Sequence, residues 1–216
     1  MKSKKILLLR HGETNWNIEL RFQGRRDIPL NEQGEEQARR VSQRVRMWSP
    51  EIVLSSPLQR ALRTAAVVSG RREEQIELDT DLCEISFGMW EGCSTRELKE
   101  QGELFFRWAQ KPFSVQVPDA EPENEILARA RRLIERLIVL PQERILVVSH
   151  GGTLRALLSV ALNIPFQSAW KFFRLSNCSL SGLEYDGERF ILAFYNDHIS
   201  GCEKDGTGIV YPSVTF

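Results

Sequence analysis

The sequence predicts an α/β fold with a mainly parallel central sheet and helices on both faces. Two observations carry that expectation. Short continuous apolar runs alternate with helical patterns, and strand-helix alternation at these lengths is the signature of a parallel sheet. Two of the runs are apolar at every position, as strands covered on both faces must be. The length of 216 residues corresponds to about 1.4 domains of typical size, which favours a single domain over 1–216.

Taken in order, Ile6-Leu7-Leu8-Leu9 reads as the first buried strand. A helix follows, with Ala38, Val41, Val45 and Trp48 three and four apart and arginines between them. A second short strand is expected over 51–54. Ser56 then offers an N-cap ahead of Pro57, and Gly70 suits the far end of that helix. Another strand is expected over 75–78. Residues 83–122 change texture: Ser94 to Glu97 has capping-box spacing, aromatic rings crowd at Phe105, Phe106, Trp108 and Phe113, and Pro112, Pro118 and Pro122 divide the stretch. This is a partly helical excursion from the main fold. A helix resumes at Asn124, with Ile126, Ala130, Leu133, Leu137 and Leu140 on one stripe, and Pro141 ends it. Residues 144–148 form the clearest strand and 152–163 the clearest helix. Two strand-like segments close the pattern, around 180–183 and 190–192.

Composition narrows the function. Lys plus Arg and Asp plus Glu number 29 each, for zero net charge, which argues against a nucleic-acid grip. No apolar run reaches the ~18 residues of a membrane span, and the apolar stretch near the N-terminus is too short for a signal-peptide core. A cytoplasmic chain is expected. Cys83, Cys93, Cys178 and Cys202 have no metal-site spacing and are expected to be free thiols.

The chemistry gathers at strand ends. His11 follows the first strand and His150 the strand at 144–149, each leading into a glycine. Ligands of open α/β sheets bind outside the carboxyl ends of the strands, so both imidazoles are expected to face one crevice. Either histidine alone would more often be structural; the pairing argues for function. Arg10 precedes His11, and Arg60 falls in the first turn of a helix. Guanidinium forks grip phosphoryl oxygens, and helix N-termini favour the same anion. These groups make a phosphoryl pocket that needs neither a metal nor another cofactor. Read singly, Arg10 could pair with a carboxylate and Arg60 could lie solvated on the surface.

At this point the residues resemble the signature blocks of the histidine phosphatase superfamily, which includes the cofactor-dependent phosphoglycerate mutases. The blocks are LLLRHGETNWN at 7–17, RFQGRRDIPLNEQG at 21–34, SSPLQRALRTA at 55–65, EISFGMWEG at 84–92 and VVSHGGTLRAL at 147–157. The resemblance implies a phosphoglycerate mutase-like fold with a lid formed by the 83–122 excursion. It implies that His11 is a nucleophile forming a phosphohistidine, held with its substrate by Arg10 and Arg60. His150 would stabilise charge on the transferring group, and Asn17, Gln23 and the N–H of Gly151 would add hydrogen bonds. Glu84 matches the proton donor, which an alkoxide leaving group needs and which can then activate water. Glu13 would support the loop. His198 is assigned a tail or core role.

Only 66 positions separate Glu84 from His150, whereas the resembling mutases carry a longer insertion there. The chain therefore looks like the short phosphatase branch, with its broad-specificity and α-ribazole phosphatases. It has Asp119-Ala120-Glu121-Pro122 where that branch often has Gly-Gly-Glu-Ser. The expected activity is hydrolysis of a small-molecule phosphomonoester; phosphoryl return, as in a mutase, and an inert phosphate-binding scaffold are the alternatives. The rings Trp90, Phe105, Phe106, Trp108 and Phe113 are expected to offer the leaving group an apolar wall, which favours aromatic or apolar substrates. Amphipathic segments permit a homodimer.

Overall fold

The structure is a computed structural model that describes residues 3–100 and 102–198. In chain order the elements are β1 (Lys4–Arg10), α1 (Asn15–Ile18), α2 (Glu32–Trp48), β2 (Ile52–Ser55), α3 (Gln59–Ser69), β3 (Glu77–Leu78), α4 (Thr95–Glu100), α5 (Glu103–Gln110), α6 (Glu123–Val139), β4 (Arg144–Ser149), α7 (Gly151–Ala161), α8 (Phe166–Phe172), β5 (Leu180–Tyr185) and β6 (Phe190–Asp197). The strands form one sheet in the order β3-β2-β4-β1-β5-β6. The first four run parallel, while β5 is antiparallel to β1 and β6 antiparallel to β5.

Burial on both faces explains the unbroken apolar runs. Side chains alternate along a strand. Leu7 and Leu9 of β1, with Val53, Leu146 and Val148, meet the stripe Ala38, Val41, Val45 and Trp48 of α2 and Ala61, Ala65 and Val68 of α3. Ile6, Leu8, Leu54, Ile145 and Val147 face the other way, onto Leu133 and Leu137 of α6 and Leu154, Leu157 and Leu158 of α7. Helices therefore cover both faces, as the periodicity demands.

Several boundaries differ from the sequence expectation. The helix after β2 does not start on Ser56 and Pro57: α3 begins at Gln59, with Leu58 at its N-cap and no cap from Leu58's side chain. The donor at Gln59 is instead taken by Asp27 Oδ1 at 2.7 Å, a carboxylate from a distant loop. Ser56 is drawn inward, where its hydroxyl meets His150. The strand expected over 75–78 shortens to Glu77–Leu78, because Glu73–Gln75 close into a 3-10 turn. The helix after β4 starts at Gly151 and ends at Ala161, one residue earlier at its start and two at its end. Gly70 does end α3, in the left-handed region with φ 71°. The sequence pattern did not suggest α1 or α8.

The excursion is partly helical, through α4, α5 and a 3-10 turn at Gly88–Trp90. Ser94 and Glu97 form the expected reciprocal cap of α4. Its rings do not make a free wall. Trp90, Phe105 and Trp108 are buried with Phe87 and Phe166 in a third core, against which the half-buried Phe22 packs; these rings join edge to face at 5.5 to 5.9 Å, and Phe106 is exposed. So many rings on short helices have no sheet face to cover, so they cover one another. Gly88 lets the chain double back: a Cβ there would lie 2.1 Å from the carbonyl of Pro118.

Cys83, Cys93 and Cys178 carry free thiols. Cys202 and the segment 201–216 lie outside the described residues. Among the described residues no helix is long and apolar enough to cross a membrane.

Leu8 is 1% exposed between the sheet and the α6–α7 layer. Leu8→Ala should lower unfolding free energy by about 2–5 kcal/mol in urea denaturation. Met47→Ala, at an exposed position, should stay within about 0.5 kcal/mol of the parent.

Candidate active site

β1 and β4 are adjacent and parallel, with Arg10 opposite Ser149 in register. The residue after each strand is a histidine, so the two rings arrive side by side, their centroids 5.1 Å apart. Both are buried, as is Arg60. Sequence reasoning placed His11, His150, Arg10 and Arg60 at one crevice, and the structure brings them together.

Hydrogen bonds fix the chemistry of each ring. His11 Nδ1 lies 2.6 Å from the carbonyl oxygen of Gly12. A carbonyl can only accept, so the proton sits on Nδ1 and Nε2 carries the lone pair. Burial first, then the cations of Arg60 and Arg10, hold His11 well below the usual imidazole range, so the ring is neutral at physiological pH. His150 is held low for the same leading reasons, burial and then Arg60. Its Nδ1 accepts from Arg60 Nε at 3.2 Å, which puts its proton on Nε2, and that donates to Ser56 Oγ at 2.8 Å. Both nitrogens of His150 are thus engaged inside the protein.

The two arginines are built differently. Arg60 is 0% exposed, and besides His150 it donates to the carbonyls of Arg26 at 2.7 Å and Gly24 at 2.8 Å. Arg10 donates through Nη1 to the Leu175 carbonyl, but its buried Nε has no acceptor among the described residues. Burial lowers Arg10 to about 10, so it remains cationic. Gln23, 8% exposed, has an equally orphaned Oε1.

Asn17 stands in the first turn after Thr14. Its Oδ1 accepts from Thr14 N–H at 3.1 Å, Thr14 Oγ1 at 3.2 Å and Asn177 Nδ2 at 3.2 Å. With the oxygen saturated, the amide's remaining capacity is its NH₂ donors. Asn177, which the sequence pattern did not single out, also donates to the His11 carbonyl at 3.0 Å and so ties the His11 backbone to the Asn17 amide. Glu13 accepts from Asn31 Nδ2 and braces the loop. His198 is exposed at the end of β6, with Nδ1 beside the Asn196 carbonyl.

Glu84 sits at the N-terminus of α7. Its carboxylate accepts from the N–H groups of Gly152 at 3.1 Å and Thr153 at 3.0 Å, two of the donors that any helix start leaves free. The N–H of Gly151 meets no acceptor among the described residues. The backbone before Glu84 is clamped too, since the Cys83 carbonyl accepts from Arg129 Nη1 and Thr153 Oγ1. Arg129 in turn forms a buried ion pair with Glu121 at 2.6 Å. Glu121 lies in the segment that departs from the family pattern, and here it anchors the end of the excursion. Glu84 acts electrostatically on Arg10, Arg60 and Arg155 alike. Arg155, one helical turn beyond Gly151, is a third guanidinium at this crevice that sequence reasoning missed; its i+4 spacing from Gly151 was the available signal.

Comparisons with known proteins identify the family. A family model described as histidine phosphatase superfamily (branch 1) matches residues 6–198. The chain is 35% identical over 191 residues to a Salmonella arizonae protein named "Probable phosphoglycerate mutase GpmB", covering 87% of each. Among solved structures it resembles the α-ribazole phosphatase of Shigella flexneri, with TM-score 0.80 and 30% identity over 89% of this chain and 96% of that one. It also resembles a mycobacterial glucosyl-3-phosphoglycerate phosphatase, with TM-score 0.80 and 26% identity over 89% and 98%.

The neutral histidines have a stability consequence. On unfolding, each returns to an ordinary value near 6.5 and takes up a proton that the folded state refuses. Below that pH the unfolded state binds more protons, so stability falls as pH falls. Between pH 7.5 and 5.5 each such site removes on the order of 1 kcal/mol. Urea denaturation of His11→Asn should therefore show a pH dependence weaker by about that amount; an unchanged slope would mean that His11 is not held neutral.

Proposed function

The chain belongs to branch 1 of the histidine phosphatase superfamily, and from that premise we propose that it hydrolyses a small phosphomonoester through a phosphohistidine on His11. Membership makes it a phosphatase or a mutase; hydrolysis is our reading. The observation that carries it is the buried, neutral His11, whose Nδ1–H is committed to Gly12 and whose free lone pair therefore lies on Nε2.

Nε2 attacks phosphorus as the ester P–O bond breaks, and the bonding pair leaves with the alkoxide oxygen. Glu84 protonates that oxygen. The phosphohistidine ring becomes cationic, and the Gly12 carbonyl opposite Nδ1–H steadies the charge. Water then attacks phosphorus, gives a proton to Glu84, and the P–N pair returns to Nε2. Throughout, the Nε–H of Arg10, the remaining N–H groups of Arg60, the Asn17 NH₂ and the Gly151 N–H supply donors to the equatorial oxygens. Fixed cations and N–H dipoles are effective here because charge spreads over those oxygens in a loose transition state. Gln23 joins them once its amide turns its NH₂ inward. His150 acts through Arg60, holding the plane of that guanidinium rather than reaching for phosphate.

The mutase reading is favoured by the name of the Salmonella relative, and it differs in one step: the phosphoryl group returns to substrate instead of passing to water. Incubation with phosphoglycerate separates the two, through inorganic phosphate in one case and the isomeric ester in the other.

Brief incubation with labelled substrate should give an acid-labile phosphoenzyme, absent from His11→Ala, which should lose essentially all turnover while keeping its circular dichroism spectrum. Turnover by that variant at the wild-type rate would overturn the mechanism. Glu84→Gln should slow hydrolysis of alkyl phosphates by about 10²-fold or more but that of nitrophenyl phosphate far less, since nitrophenolate leaves without a proton. Equal losses on both would exclude Glu84 as the acid.

A further inference from the structure

Arg129 is a cation on the apolar stripe of α6. Ile126, Ala130, Leu133 and Leu137 share its buried face, and its own side chain is 5% exposed. A guanidinium removed from water needs acceptors for its five N–H groups, and their origin shows what it holds. Nε and Nη2 bond the two oxygens of Glu121 at 2.6 and 3.1 Å. Nη1 donates to the carbonyls of Asp81 at 2.6 Å and Cys83 at 2.9 Å. Both terminal nitrogens also face Thr153 Oγ1 at 3.3 Å. That hydroxyl has one hydrogen, which goes to the Cys83 carbonyl at 2.6 Å and leaves its lone pairs to the arginine. Every N–H of Arg129 is thus spent inside the protein.

These contacts converge on Glu84 from two sides. Asp81 and Cys83 belong to the backbone that delivers it, and Thr153 to the helix start that receives its carboxylate. Oε1 accepts from the N–H groups of Ile85 at 2.9 Å and Thr153 at 3.0 Å, with Thr153 Oγ1 at 3.3 Å. Among the described residues Oε2 accepts from Gly152 N–H alone, at 3.1 Å. A carboxyl proton therefore has its place on Oε2, because the lone pairs of Oε1 are occupied. The fit is close: a Cβ on residue 152 would lie 2.7 Å from Oε1. An ion pair with Glu121 is enough to anchor the excursion. It does not call for a grip on the Cys83 carbonyl and the Thr153 hydroxyl, the two groups that flank Glu84.

We propose that Arg129, acting through Thr153, is a positioning residue for the proton donor: it locks Glu84 with Oε1 turned into the protein and Oε2 presented to the leaving oxygen. This rests on the reading of Glu84 as general acid and extends it to the residues that aim it. Glu121 takes part as the counter-charge that fixes the guanidinium. Its Oε2 also accepts from Ser86 N–H at 3.3 Å, so the backbone is held on both sides of Glu84. Proton transfer demands hydrogen-bond geometry, and a misplacement of about 1 Å caused at a distance costs up to about 10²-fold.

The test reads phosphoenzyme formation by rapid quench, with glycerol 3-phosphate as an alkyl ester and with nitrophenyl phosphate. Only the alkyl ester needs a proton as it leaves, so the ratio of the two rates reports proton delivery. A variant that merely folds less well slows both and leaves the ratio alone. The step precedes transfer to water or back to substrate, so a mutase gives the same readout. Arg129→Met should lower the alkyl-to-nitrophenyl ratio by about tenfold or more, toward the value of Glu84→Gln. Thr153→Val should lower it too, and Thr153→Ser, which keeps the hydroxyl, should recover it. In a Glu84→Gln background Arg129→Met should not move the ratio further, because the acid it aims is gone. Thr153→Val leaves the ion pair intact and carries the test where Arg129→Met does not fold. If Glu84→Gln shifts the ratio while the Arg129 and Thr153 variants do not, or if the double variant falls further, the positioning role alone is overturned. If Glu84→Gln keeps the wild-type ratio, the acid reading fails and the positioning role with it. Absence of a phosphoenzyme from either ester overturns the phosphohistidine reading and all that rests on it.

Discussion

The site depends on one buried cation. Arg60 is fully removed from solvent, and a guanidinium in that position is tolerable only if acceptors replace the water it has lost. Its acceptors come from separate parts of the chain: the carbonyls of Gly24 and Arg26 in the loop before α2, and His150 at the start of α7. Satisfying the charge therefore orders the loop that carries Gln23, fixes the proton of His150 on Nε2, and draws in Ser56 as that proton's acceptor. Asp27, from the same loop, caps α3 and so holds the helix that delivers Arg60. Each contact makes the next one necessary.

The surrounding charge explains why the histidines are neutral. Two buried imidazoles lie among guanidiniums, and among the described residues no carboxylate bonds to either ring. Protonating either would bury another positive charge beside Arg60 and Arg10. A neutral ring with one committed proton is a nucleophile; a protonated one is not. On the proposed mechanism the arginines serve twice, preparing a place for phosphate and keeping His11 Nε2 unprotonated.

The excursion is tied to this centre by its ends rather than by its rings. Glu84 at its beginning is held by α7, and Glu121 near its end is paired with Arg129 of α6. Between them, Glu91 accepts from the N–H of Arg25 at 3.1 Å, which links the excursion to the loop that holds Arg60. The aromatic residues supply a private core that stiffens the span. Rings concentrated in sequence suggested a ligand surface, but apolar area is removed from water most completely by packing on itself.

The sequence by itself determined the sheet, its covering helices and the meeting of the two histidines at one end of it. Uninterrupted apolar runs require burial on two faces, stripes at helical spacing require a face to cover, and a histidine directly after a strand has one end of the sheet to occupy. His11, His150, Arg10 and Arg60 were legible as a cluster because they follow strands or open a helix, whereas Glu84 was singled out only by its resemblance to a family signature block. The tertiary structure alone decided that β5 and β6 reverse direction, that Asp27 and not Ser56 caps α3, that Asn177 binds Asn17 and the His11 carbonyl, and that Arg155 stands with Arg10 beside Gly151. It alone decided which nitrogen of each imidazole bears a proton. Propensity and periodicity report interactions among residues within a few positions of one another. A cap reaching across 32 residues, an amide bridge across 160 and a tautomer set by an arginine 90 positions away follow from where the folded chain brings acceptors to buried donors.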